Sequence, residues 1–112
     1  MNKENYLEKI PVLPPMKWTL DDDIVTLQKE NNGIFDKIAQ KFFKRPKISY
    51  IHLDKYGSFI WQIIDGEKNI IKLGEEVKSH FGEDAEPLYE RIAKFFQILD
   101  SYGFINWNEK DS

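Results

Sequence analysis

The sequence predicts an α+β domain in which a three-stranded antiparallel sheet is followed by three helices, with an extra helix inserted between strands two and three. Two patterns support this prediction. Up to residue 53, short runs rich in apolar and β-branched residues are separated by polar turns, which is typical of strands. After residue 53, apolar residues recur every three or four positions, which is typical of amphipathic helices.

Length and composition predict one small domain. The 112 residues suffice for a single core, and 41% hydrophobic with 31% charged residues is the balance of a globular protein. Both ends are polar and lack periodicity, so we expect them to fray. We assign residues 1–15 to an extended lead-in, 16–107 to the domain and 108–112 to a frayed end.

The absence of cysteine excludes disulfides, thiolate nucleophiles and sulfur-ligated metals. No apolar run approaches the length of a membrane span, and the N-terminus lacks a signal-peptide pattern. We therefore expect a cytoplasmic protein without a membrane partner. The net charge of −3 argues against a nucleic-acid partner.

The first strands form a predicted hairpin. Met16–Leu20 and Ile24–Lys29 are strand-like and are separated by three aspartates, residues that favour turns. Lys47–Leu53 is the predicted third strand. In the insert at residues 31–46, apolar pairs recur every four residues and favour a helix over the competing strand interpretation. Whether this insert covers the third strand stays open.

Three helices follow. In the first, Asp54 is a predicted cap and Asp65-Gly66 a predicted stop. Asn69 is the predicted cap of the second, in which Gly74 indicates either close packing by another element or a tolerated weak position. The third begins near Pro87 and ends at Gly103, and Phe104–Trp107 is a possible short strand. Its predicted inward residues are Leu88, Ile92, Phe95, Leu99 and Tyr102.

Motifs for catalysis are missing from the chain. His52 and His80 belong to no metal-binding spacing, and we expect His52 on the solvated face of its strand and His80 beside a helix C-terminus for its dipole. No nucleophile, phosphate-loop or dinucleotide motif occurs. We interpret the chain as a protein that is not an enzyme and needs no cofactor. The basic run Lys37–Lys47 is most simply a solvated helix face, with a partner surface as the alternative.

The segment LDKYGSFIWQIIDG at residues 53–66, the helix NIIKLGEEVKSHFG and the later LDSYGFI together resemble the PqqD-like family over residues 16–105. Trp18 falls where the family has an aromatic strand. The order of strands and helices is that of a small winged-helix-like domain. The insert at residues 31–46 departs from the family pattern, because a tight turn is expected there.

The resemblance implies a peptide-binding chaperone or adaptor. Such domains hold the leader of a precursor peptide as an added strand and present it to a modifying enzyme, often of the radical S-adenosylmethionine type. Carried onto this chain, the binding edge is the third strand and the groove wall is the last helix. The implied peptide-binding residues are Ile48, Ser49, Tyr50, Ile51, His52, Arg91, Lys94, Phe95 and Ile98.

Simpler roles compete for the helix residues, since Phe95 is more readily a core residue and Arg91 and Lys94 are ordinary for a helix surface. Two other functions also compete. A winged-helix regulator would bind DNA, but the last helix mixes Glu90 and Asp100 with its cations instead of concentrating basic residues. An enzyme ranks last, because only scattered carboxylates support it.

Overall fold

The computed structural model describes residues 6–30 and 48–109, which divide into two compact units. We call Pro15–Lys55 the sheet unit, and Met1–Pro14 together with Tyr56–Ser112 the helical unit. The predicted inserted helix and the basic run Lys37–Lys47 lie outside the described residues. In chain order the elements are β1 Ile10–Val12, β2 Trp18–Asp21, β3 Ile24–Glu30, β4 Ile48–His52, α1 Lys55–Ile63, α2 Ile70–Phe81, a 3₁₀ helix Gly82–Ala85, α3 Leu88–Ser101 and β5 Asn106–Asn108.

The sheet unit contains a three-stranded antiparallel sheet in the order β2-β3-β4, which confirms the predicted sheet. The hairpin turns at Asp22 and Asp23, whose φ angles of 52° and 66° match the left-handed conformation that a tight hairpin turn requires. Aspartate tolerates this conformation better than most residues. On β3, Val25 and Leu27 are fully buried, as their alternation with polar residues predicts.

In the helical unit, α1 begins directly after Asp54 and buries Tyr56, Ile60 and Trp61. The chain then turns at Asp65 and Gly66, as predicted. The Asp65 side chain accepts hydrogen bonds from the backbone N–H groups of Glu67 and Lys68, each at 2.9 Å. Gly66 has a φ of +80°, a conformation that other residues rarely adopt. This turn lets α2 follow α1 after a short connection.

The cap of α2 is Asn69, whose side-chain oxygen accepts a 2.9 Å hydrogen bond from the N–H of Lys72. Ile70, Leu73 and Val77 are fully buried on one side of this helix, which confirms its predicted face. A Cβ atom at Gly74 would lie 2.6 Å from Cε1 of Tyr89. Close packing by another element is therefore the correct explanation of this glycine.

The buried face of α3 differs from the predicted one. Ile92, Phe96 and Leu99 are buried, whereas Tyr102 is 63% exposed and Phe95 only partly buried. The prediction of Tyr102 as an inward residue was therefore wrong, and it missed Phe96. Two adjacent phenylalanines fit the helical period almost equally well, so the pattern alone does not choose between them.

A second, two-stranded sheet joins the ends of the helical unit. β1 pairs antiparallel with β5, and Pro11 lies opposite Trp107. The backbone N–H of Ile70 donates to the carbonyl of Lys9 at 3.1 Å. Lys9 and Asn108, which we expected to fray, therefore have backbone partners in the structure. β5 also begins two residues later than predicted, because Phe104 and Ile105 are buried before the strand starts.

Candidate peptide-binding site

β4 lies at one edge of the described sheet, with β3 as its neighbour. The N–H of Leu53 donates to the carbonyl of Val25 at 2.9 Å, and this bond fixes which backbone groups point toward β3. Since the direction alternates along an antiparallel strand, the N–H groups of Ser49 and Ile51 point inward. Those of Ile48, Tyr50 and His52 point away from β3. Outward groups on alternate residues are what an added strand requires.

The side chains of β4 alternate in the same way. Ile48, Tyr50 and His52 are exposed, whereas Ser49 and Ile51 on the opposite face are partly buried. The ring nitrogen Nδ1 of His52 lies 2.7 Å from the hydroxyl oxygen of Thr26 on β3. His52 therefore lies on the solvated face, as predicted, and its ring is held by the neighbouring strand.

Arg91 is the first predicted site residue on α3, and the structure gives it contacts inside the helical unit. Its guanidinium carbon lies 3.7 Å from the ring centre of Tyr56, and its Nη1 donates to the carbonyl of Asp84 at 2.7 Å. The Tyr56 hydroxyl in turn donates to the carbonyl of Ala85 at 2.9 Å. Arg91 thus links α3, α1 and the 3₁₀ helix, and its cation is already engaged.

The other predicted residues of α3 differ in exposure. Lys94 is exposed and Ile98 is 47% exposed. Phe95 is partly buried, and its ring meets that of Phe96 edge-on with the ring centres 5.3 Å apart. Ile98 is therefore not a core residue. At 100° per residue these three side chains fall on one stripe of the helix. The α3 residues belong to the helical unit and the β4 residues to the sheet unit.

Tyr102 continues this stripe, and the sequence analysis missed it. Its ring stacks on that of Phe104, with centres 5.7 Å apart. The spacing of residues 95, 98 and 102 is the signal that could have identified an exposed apolar stripe instead of a core face.

His80 has more contacts than its predicted dipole role requires. Its imidazole stacks on the ring of Phe59 with centres 4.2 Å apart, and it meets Phe81 edge-on at 4.7 Å. The ring therefore packs between α1 and α2 although its residue is exposed. Stacking on Phe59 and the edge contact with Phe81 explain its position without a chemical role.

The ion pair between Lys78 and Glu86 in the helical unit is exposed. Lys78 donates to Glu86 at 2.8 Å, and this hydrogen bond lowers the pKa of the Glu86 carboxyl and raises that of the Lys78 amine. Exposed pairs of this kind contribute little to folding. Within residues 6–30 and 48–109, no three His, Asp or Glu side chains are placed to hold a metal ion. Over the same ranges, no helix is long and apolar enough to cross a membrane.

These features define a small α+β protein whose described sheet has β4 at one edge, with the side chains of Ile48, Tyr50 and His52 exposed. A family model described as Coenzyme PQQ synthesis protein D (PqqD) matches residues 25–105. The chain belongs to the PqqD family, because this match covers well over half of its length. Among the described elements, the match contains β3 from its second residue, β4 and the helices α1, α2 and α3, and leaves β1, β2 and β5 outside. No curated protein and no solved structure matches the chain.

Family membership confirms the resemblance seen in the sequence. It suggests a peptide-binding accessory role in PQQ synthesis, in a family whose members are not catalysts. It also implies two kinds of partner, a peptide and an enzyme of that synthesis.

Proposed function

We propose that this protein is a non-catalytic chaperone that holds the leader of a precursor peptide as an added strand on β4. In this proposal it works in the cytoplasm and presents the peptide to a modifying enzyme of the radical S-adenosylmethionine type. The winged-helix-like arrangement of the family is part of the same proposal. PqqD membership supports the accessory role and the peptide partner.

The outward backbone groups of β4 are the single observation that carries the proposal. Main-chain hydrogen bonds to Ile48, Tyr50 and His52 would hold an extended peptide whatever its sequence, and neighbouring side chains would select among peptides. Ser49 and Ile51 belong to the site through their side chains, since their N–H groups face β3.

Proline substitutions separate binding from folding at this edge. Tyr50→Pro removes an outward N–H, so we expect peptide affinity to fall by about tenfold or more while the domain stays folded. Ile51→Pro removes an inward N–H and should instead destabilise the protein. Leu20→Pro is the matched control, because the Leu20 N–H points away from β3 on the opposite edge strand.

The probes are peptides selected from a phage-displayed library of random twelve-residue sequences on the immobilised wild-type protein. Selected peptides are synthesised and titrated by calorimetry into each folded variant. Equal affinity for wild type and Tyr50→Pro would place the peptide elsewhere, and so would a loss shared equally by Leu20→Pro. Failure to enrich any peptide would contradict the proposed function itself.

The stripe of α3 is a separate surface in this proposal, tested by its own variants. Lys94→Glu reverses an exposed charge and Ile98→Ser removes an exposed apolar side chain. Each should weaken binding of the selected peptides without changing the melting temperature. Wild-type affinity from both variants would remove α3 from the binding surface and leave β4 as its only part.

A further inference from the structure

The solvated face of β4 is unexpectedly apolar. In a sheet with one packed face, the other face normally carries polar residues. Here Ile48 is 37% exposed and Tyr50 is 59% exposed on that face. Both residues also direct their backbone N–H groups outward, so the apolar side chains stand beside the proposed hydrogen-bonding edge.

The geometry of strand addition places peptide side chains next to these two residues. A peptide residue that exchanges hydrogen bonds with Tyr50 lies about 5.5 Å away, with its side chain on the same face of the sheet. The peptide residue two positions along then lies opposite Ile48. The residue between them points to the other face, beside Ser49 and Ile51. This holds for an antiparallel peptide.

The charges near Ile48 and Tyr50 on this face are mixed, so the apolar side chains and not the charges select the peptide. The β3 residues opposite Ile48, Tyr50 and His52 are Glu30, Gln28 and Thr26. Glu30 supplies a carboxylate on this face, and Lys17, whose carbonyl accepts from the N–H of Gln28, lies across β3 on the same face and supplies an amine. Lys29 is paired with Ser49 and lies on the opposite face. An acidic peptide residue beside Tyr50 or Ile48 would leave these exposed apolar side chains without an apolar partner.

We infer that β4 selects leader segments with two apolar residues separated by one residue, which pair with Tyr50 and Ile48 on the solvated face. The inference rests on the proposed function and names the class of peptide that it binds. The favoured residues are aromatic or β-branched, because such side chains form the most stabilising cross-strand pairs. The occupant that this pattern defines is an extended peptide segment with apolar residues at alternate positions.

The test combines the sequence pattern of the selected peptides with the effect of a substitution at Tyr50. Among library peptides that lose affinity for Tyr50→Pro, we expect apolar residues at positions i and i+2. Tyr50→Thr keeps the N–H and the strand propensity but removes the aromatic ring. It should weaken these peptides about two- to fivefold, the range that cross-strand pairs provide. Leu20→Thr is the matched control, since it removes a 48% exposed apolar side chain from the other edge strand and should change nothing.

Each other outcome has a definite meaning. Peptides that need the Tyr50 N–H but carry acidic residues at alternate positions, or that bind Tyr50→Thr as tightly as wild type, overturn this inference and leave the proposed function standing. Peptides indifferent to Tyr50→Pro overturn both. Sedimentation of the free protein completes the test, because a concentration-dependent dimer that Tyr50→Pro abolishes would make a second copy the occupant.

Discussion

The position of one neighbouring ring in the helical unit explains why residue 74 is a glycine. A glycine inside a helix usually costs about 1 kcal/mol relative to alanine, so Gly→Ala is expected to stabilise most helices. Here the ring of Tyr89 occupies the space that a methyl group needs, with Cε1 at 2.6 Å. The contact requires the absence of a side chain.

We expect Gly74→Ala to lower the free energy of unfolding by about 1 kcal/mol. The overpacking cost of roughly 1–3 kcal/mol outweighs the gain in helix propensity of about 1 kcal/mol. Denaturant unfolding measures the change. In a Tyr89→Ala background the same substitution should stabilise, because the obstructing ring is gone. A stabilising Gly74→Ala in the wild-type background would show that Tyr89 moves aside at little cost.

The Asp65 carboxylate makes the stability of the folded protein depend on pH in the acidic range. The backbone N–H groups of Glu67 and Lys68 hydrogen-bond to its carboxylate and hold its pKa below the usual 3.8. A carboxyl with a lowered folded pKa stabilises the protein above its unfolded pKa, and this contribution disappears as the pH falls through the folded pKa.

The matched variant is Asp65→Asn, which keeps an acceptor oxygen but removes the charge. We expect the wild type to melt at a higher temperature than this variant at neutral pH. The difference should begin to shrink near the usual pKa of 3.8 and disappear as the pH falls through the lowered folded pKa. Thermal unfolding across that range measures it. A difference that stays constant with pH would assign the effect to hydrogen-bond geometry and not to charge.

Arg91 and Lys94 have different roles although both are cations on α3. Arg91→Ala loses the contact with the Tyr56 ring and the hydrogen bond to Asp84, so we expect a destabilisation of about 1–2 kcal/mol. Lys94→Ala should change stability by less than about 0.5 kcal/mol, as is usual for exposed residues. Equal effects in chemical denaturation would contradict the structural role of Arg91.

At the scale of elements, α1 is the helix whose packing is tested most directly. Ile60 is fully buried, so Ile60→Ala should lower the free energy of unfolding by about 2–5 kcal/mol. Ile98→Ala is a control of the same chemistry at a 47% exposed position and should have a much smaller effect. A loss of less than about 0.5 kcal/mol at Ile60 would mean that α1 is misplaced.

The elements that the sequence predicts best are those with local signals. The cap at Asn69, the Asp65-Gly66 turn and the aspartate hairpin each depend on residues a few positions apart, and the structure has all three. β1 was missed because it is three residues long, contains a proline and pairs with a strand near the other end of the chain.

The candidate site was predictable only in part. Alternation along β4 is local, so the exposed positions of Tyr50 and His52 follow from the pattern. The direction of each N–H depends on register with β3, which is a long-range property. The contacts of Arg91 could not be predicted from the sequence. Tyr56 is distant from Arg91 along the chain, and Asp84 belongs to the 3₁₀ helix before α3.

At the scale of the whole molecule, charge argues against a DNA-binding role. The net charge is −3, and α3 carries Glu90 and Asp100 beside Arg91 and Lys94, of which Arg91 is engaged. We expect duplex DNA to bind weakly and without sequence preference. Fluorescence anisotropy with labelled duplexes measures this. A sequence-specific complex at physiological salt would favour the regulator over the peptide chaperone.

The pairing of β1 with β5 also sets an order of events during synthesis on the ribosome. The β2–β3 hairpin needs only neighbouring residues, so it can close while later residues are still being made. β1 is synthesised before the helices but cannot pair until Asn106–Asn108, which follow α3, have been added. Nascent chains arrested before Asn106 should therefore leave Tyr6–Val12 open to a protease that the finished protein resists.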